Sequence, residues 1–234
     1  MASNSATPHA VELDADIPAQ LISLREEGDS IWDAFDARVR RDRWHPFVAA
    51  DYACVEQALL TVQQPGLQFL EWGSATGVIT IMADMLGFEA FGIELDPELV
   101  GVARSLARRF GSKARFAAGS FLPTGYQWQS STGDRRMGTI GQGRSGYLEL
   151  QHPLKDFDLV FAYPWSGEEP IMHDIMQRFG GAQARLFLYG PNGVHVYRRG
   201  QHESIDENTL KSAAPSCRHI GKTISEATSE SNGR

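Results

Sequence analysis

The residues best able to do chemistry lie in one short stretch, FLEWGSATGVITI, residues 69 to 81. An apolar run ends on Glu71 and passes through two glycines four residues apart, Gly73 and Gly77. A carboxylate next to bare backbone at the mouth of a strand marks a place where a ligand could sit. Glycine lets the chain approach such a ligand without a Cβ in the way, and a helix starting near Gly77 aims unpaired N–H groups at the same point. A dinucleotide fingerprint requires further glycines where Ala75 and Val78 stand, so that spacing disfavours a dinucleotide.

These residues need a sheet to hold them. From Leu67 onward the pattern alternates. LQFLEW reads as a strand, and Val78, Ile81, Met82, Met85 and Leu86 form one face of a helix closed by Gly87. EAFGIEL is the next strand. Leu99, Val102, Ala103, Leu106 and Phe110 mark a helix stopped by Gly111, and ARFAA is a third strand. FDLVFAYPW, a helix from Ile171 to Phe179, ARLFLYG and an edge strand VHVYRR complete the series. The spacing predicts a doubly wound α/β domain with a mostly parallel sheet. Ligands bind such sheets beyond the carboxyl ends of the strands.

Ahead of the sheet, residues 15–66 read as an N-terminal helical cap. One helix starts at Ser30 and Asp33, and a second carries Val48, Tyr52, Val55, Leu59 and Val62. Residues 1–14 and 201–234 are polar and without period, and are expected to be disordered tails. The α/β domain is thus expected over 67–200. Within it, residues 122–150 are rich in Gly, Ser and Arg and read as a flexible loop with a strand at GYLEL.

With 234 residues, 42% hydrophobic and 22% charged, the chain suits one core. A net charge of −7 argues against a surface that grips nucleic acid everywhere. Cys54 and Cys217 lie far apart, so neither a disulfide framework nor a metal site is expected. No apolar stretch is long enough to span a membrane, and a cytoplasmic protein is expected.

The stretch EWGSATG resembles motif I of class I S-adenosylmethionine-dependent methyltransferases, an acidic residue followed by GxGxG, with Ala75 at the central glycine. The resemblance implies that Glu71 holds the cofactor's ammonium group and that Gly73, Ser74, Ala75 and Gly77 wrap its methionine part. GIELDPEL then puts Glu94 where the family accepts hydrogen bonds from the ribose hydroxyls, and two acceptor oxygens suit a vicinal diol. Asp96, followed by proline, reads as a helix N-cap. AAGSFLP matches the adenine position, with Ser120 in place of the family's acid and Phe121 as the apolar face. FDLVFAYPW, including Tyr163, ends where the family presents the transferable methyl. These motifs cover roughly residues 67 to 190 and imply a methyltransferase using S-adenosylmethionine, with a shortened C-terminal edge where the family has a two-stranded hairpin.

The methyl acceptor is less legible: a small molecule, a protein and a nucleic acid all remain open. AYPW is similar to the (Asp/Asn)-Pro-Pro-aromatic motif of enzymes that methylate exocyclic amino groups, but Ala162 and Tyr163 replace its first two residues. Tyr163, Trp165 and His45 are the candidates for the reacting end. SGEE from Ser166 reads as a capping box with Glu169 reciprocal, which explains Glu168 and Glu169 without catalysis. Arg135, Arg136, Arg144, Tyr126 and Trp128 could equip the loop as a closing lid. Two alternatives stay open, a cofactor-binding protein of this fold without turnover and, less favoured, a nucleotide-cofactor oxidoreductase.

Overall fold

The computed structural model describes residues 16–39, 47–128 and 139–203. Seven strands form one sheet in the order β3-β2-β1-β4-β5-β6-β7. They are β1 (Gln68–Trp72), β2 (Glu89–Glu94), β3 (Arg115–Ala118), β4 (Leu159–Ala162), β5 (Arg185–Gly190), β6 (Gly193–Arg198) and β7 (Gln201–Glu203). The first five are parallel, and β6 and β7 close the sheet as an antiparallel meander. Strand order reverses between β1 and β4, so a crevice opens at their carboxyl ends.

Helices α1 (Ile17–Val39), α2 (Tyr52–Thr61), α3 (Val78–Met85) and α4 (Pro97–Arg109) cover one face. The short α5 (Tyr147–Leu150) and α6 (Glu169–Phe179) cover the other. The central strands are buried on both faces, which is why they read as unbroken apolar runs. Leu21 and Leu24 anchor α1, and a Cβ on Gly28 would crowd Val78 at 2.8 Å and Tyr52 at 3.0 Å. Bare backbone at Gly28 therefore lets α1 lie directly on the start of α3. Asp51 caps α2 by accepting from the Cys54 amide, and Asp96 caps α4 through the Glu98 amide, as its sequence implies.

Four expectations need correction. Ser30 lies inside α1, because Leu21 and Leu24 extend the buried stripe nearly three turns ahead of Ile31. GYLEL is the helix α5, since Tyr147 and Leu150 turn to the same buried side three residues apart. The described parts of 122–150 are packed rather than loose: Leu122, Ile140, Tyr147 and Leu150 bury against the sheet face where β2 and β3 lack a long helix. The C-terminal edge does form a hairpin, β6 with β7, which extends the sheet three residues past the expected tail boundary at 200. Residues 1–15 and 204–234 lie outside the described residues, so the expected tails there are not addressed.

Candidate functional site

The turn after β1 is pinned to β2, because the amides of Gly73 and Ser74 both donate to the Ile93 carbonyl. It then reverses sharply, with positive φ at Gly73 (71°), Ala75 (44°) and Gly77 (81°). Glycine is required at 77, where a Cβ would approach the Phe116 ring and Ala103 to 2.7 Å. Ala75 takes the left-handed conformation with a side chain, at a cost of about 1–2 kcal/mol.

Glu71 is 5% exposed at the end of β1. Its Oε2 accepts both the Thr80 amide and the Thr80 hydroxyl, so the carboxyl caps the first turn of α3 from the sheet. Burial pushes its pKa up to about 8, the two Thr80 bonds oppose this, and the nearby Glu94 adds to it. Glu94 ends β2. Its Oε2 accepts the Ala75 amide and its Oε1 the Asp96 amide, each at 2.9 Å, and burial raises its pKa. Glu94 therefore locks the β1 turn to the β2–α4 loop, and with the Leu95 amide also turned to it the carboxylate keeps room for one further donor.

A cleft runs along this turn. Glu71, Gly73, Ser74 and Ala75 line its floor, and Phe47, Tyr52 and Tyr163 line its walls. Tyr163 packs edge-on against Tyr189 at 4.8 Å, and Tyr189 in turn accepts the Asp51 amide at 3.1 Å. Both tyrosine pKa values are raised by burial. Six sequence candidates thus converge: Glu71, Gly73, Ser74, Ala75, Tyr163 in the cleft wall, and Glu94 behind the turn.

The others are placed differently. Ser120 is 1% exposed. Its Oγ donates to the Gly141 carbonyl at 2.6 Å and accepts the Leu122 amide at 3.1 Å, so the hydroxyl expected to meet a ligand is already used. Phe121 is buried and stacks on Trp72, with ring centroids 4.9 Å apart and planes inclined by 9°, inside the core rather than on a crevice wall. Trp165 does not line the cleft; its amide donates to Glu168. His45, Arg135 and Arg136 lie outside the described residues. Tyr126 sits edge-on to Phe179 with Arg178 over its ring, on the α6 side of the sheet.

Glu168 is structural as its sequence reads, but not as part of a capping box. Glu168, at the N-terminus of α6, makes no side-chain cap bond there and is buried. Its Oε2 accepts the Trp165 amide at 2.8 Å and its Oε1 the Ile140 amide at 3.0 Å. The spacing of Ser166 and Glu169 resembles a capping box, but Ser166 and Glu169 are both exposed, and the carboxylate that matters is one residue earlier. Nothing in the sequence signals a partner 28 residues away. Among the described residues no cluster of His, Cys, Asp and Glu could hold a metal, and no helix is long and apolar enough to cross a membrane.

No family model matches the chain. Over 72 residues it is 38% identical to the ribosomal protein L11 methyltransferase of Thermus thermophilus, which covers 30% of this chain and 28% of that protein. The chain therefore spans little more than a quarter of that relative's length. Among solved structures, precorrin-6y C5,15-methyltransferase from Geobacter metallireducens superposes with a TM-score of 0.42 and 16% identity, covering 64% of this chain and 69% of that one. An RNA methyltransferase from Salinibacter ruber, in complex with S-adenosyl-L-homocysteine, gives a TM-score of 0.42 and 16% identity, covering 67% and 90%.

Proposed function

We propose that this chain, whose mostly parallel seven-stranded sheet is of the class I methyltransferase type, binds S-adenosylmethionine along the β1 turn and transfers its methyl group to an acceptor in the aromatic end of the cleft. The observation that carries the reading is the pairing of Glu71 and Glu94 on either side of the Gly73–Gly77 turn, at the carboxyl ends of adjacent strands. The local identity with the Thermus methyltransferase supports it.

The residues fit the cofactor's methionine and ribose parts. Glu71 would hold the ammonium group, and the bare Cα of Gly73 would let the chain pass close to it. Ser74 Oγ, buried without a hydrogen-bond partner among the described residues, offers a polar atom to an amino-acid carboxylate. Glu94 would accept from a ribose hydroxyl with the capacity left by the Ala75, Asp96 and Leu95 amides.

The cofactor supplies a methyl group on a sulfonium that is already a good leaving group, so the protein's task is alignment and exclusion of water. Phe47 and Tyr163 provide apolar walls for that purpose. Tyr163 is held in place by Tyr189, which is fixed to the start of α2 through the Asp51 amide. We place the protein in the cytoplasm.

Incubation with tritiated S-adenosylmethionine and fractionated cell extract tests the activity. Label is expected in one fraction with the wild type and near background with Glu94→Ala. Equal incorporation by both proteins, or none by either, would overturn the reading.

A further inference from the structure

Resting on that reading, we propose that residues 139–146 form a strap across the adenosine end of the cofactor crevice that must open to admit cofactor. The segment TIGQGRSG touches residues at the carboxyl ends of β1, β2, β3 and β4. At its start, the Thr139 methyl lies 2.8 Å from where a Cβ on Gly73 would stand, and Thr139 Oγ1 donates to the Tyr163 carbonyl at 2.9 Å. Next, Gly141 lies so close to Leu95 that a Cβ there would collide with Leu95 Cδ1, and Gly143 follows over the same side chain. At its end, the Ser120 amide donates to the Arg144 carbonyl and the Gly146 amide to the Ser120 carbonyl, both at 2.8 Å.

The strap therefore runs from the cleft wall at Tyr163, over the β1 turn, to the strand end at Ser120. It lies on Leu95 and Ser120, at the strand ends where the ribose and adenine of the proposed cofactor would sit. Its contacts on the crevice are mostly backbone and glycine, which explains how it fits so closely.

Glu168 is its latch. One carboxylate binds both the Ile140 amide in the strap and the Trp165 amide in the loop after β4. Ile140 is the strap's one deeply buried side chain before Gly146, while Gln142, Gly143 and Arg144 are exposed. A segment held by one apolar anchor and a few hydrogen bonds belongs to the part of a fold that opens most readily. Closure lowers apparent cofactor affinity by the fraction of molecules that are open, so weakening the latch tightens binding.

Hydrogen exchange of peptides spanning 139–146, read with and without S-adenosylhomocysteine and combined with calorimetric affinity, tests this. Glu168→Ala removes the latch and Ile140→Ala removes the buried apolar anchor, by independent means. In the wild type, saturating ligand is expected to speed exchange across 139–146 by about tenfold or more. Both variants are expected to show fast exchange without ligand and affinity tighter by several-fold. Ligand binding with unchanged or slower exchange in 139–146, and equal affinity in the variants, would overturn the strap and leave the cofactor reading intact. No binding to any of the three proteins would overturn the cofactor reading and the strap with it.

Discussion

Binding of S-adenosylhomocysteine at pH 7 should release close to one proton, and Glu71 should be its source. The carboxyl is enclosed at the end of β1, and burial raises its pKa to about 8 against an ordinary 4.5, with Glu94 contributing in the same direction. A group with that pKa is about nine-tenths protonated at pH 7. An ammonium group within hydrogen-bond reach favours the carboxylate and draws its pKa well below 7. The expected release is thus about 0.9 proton per ligand at pH 7, falling to about half at pH 8. Calorimetry in two buffers of different ionisation enthalpy measures it directly. The Glu71→Gln protein should bind more weakly and release almost none. A binding enthalpy independent of buffer in the wild type, or equal release by Glu71→Gln, would refute the role given to Glu71.

The same group sets a pH trend in the free protein. Because its folded pKa lies above its unfolded one, its contribution to stability is complete below about pH 4.5 and is lost as pH rises through about 8. Asp29, Glu56 and Glu94 are shifted in the same direction. Denaturant unfolding of Glu71→Gln should therefore show a flatter decline over that interval than the wild type. Ala75→Gly relieves the left-handed φ of 44° and should stabilise the protein by up to about 1 kcal/mol, seen as a raised thermal midpoint; a lowered one would mean the turn is unstrained. Gly77→Ala meets both a φ of 81° and the Phe116 ring, and should cost about 2–4 kcal/mol in chemical denaturation. Tyr147→Phe strands the buried Trp72 Nε1–H that now donates to its hydroxyl at 2.7 Å, and should cost about 1–3 kcal/mol by the same assay.

The parallel half of the sheet was legible because β1, β2 and β4 are buried on both faces and punctuated by glycines such as Gly87 and Gly111, both at positive φ. Glu94 could be placed because it follows an unbroken apolar strand and precedes the Asp96 cap. The 122–150 loop was legible as a closing lid, but the path of the strap over the crevice was not. Its hold on the crevice comes from backbone groups of Gly141, Arg144 and Gly146 and from bare Cα atoms, none of which leaves a residue pattern. Ser120 was read for its hydroxyl, but with the strap beside it that hydroxyl satisfies a backbone carbonyl instead. Glu168 was hidden for a related reason, since its second partner, Ile140, is brought close only by the tertiary fold.

The central claim is that the β1 turn and Glu94 together bind an adenosyl cofactor. Calorimetric titration of S-adenosylhomocysteine into the wild type and into Glu94→Ala tests it most directly. The account predicts saturable binding to the wild type that weakens by about tenfold or more in the variant, the loss expected for hydrogen bonds of roughly 1.5 kcal/mol to a charged group. Undiminished affinity in Glu94→Ala, or no heat of binding in the wild type, would contradict it.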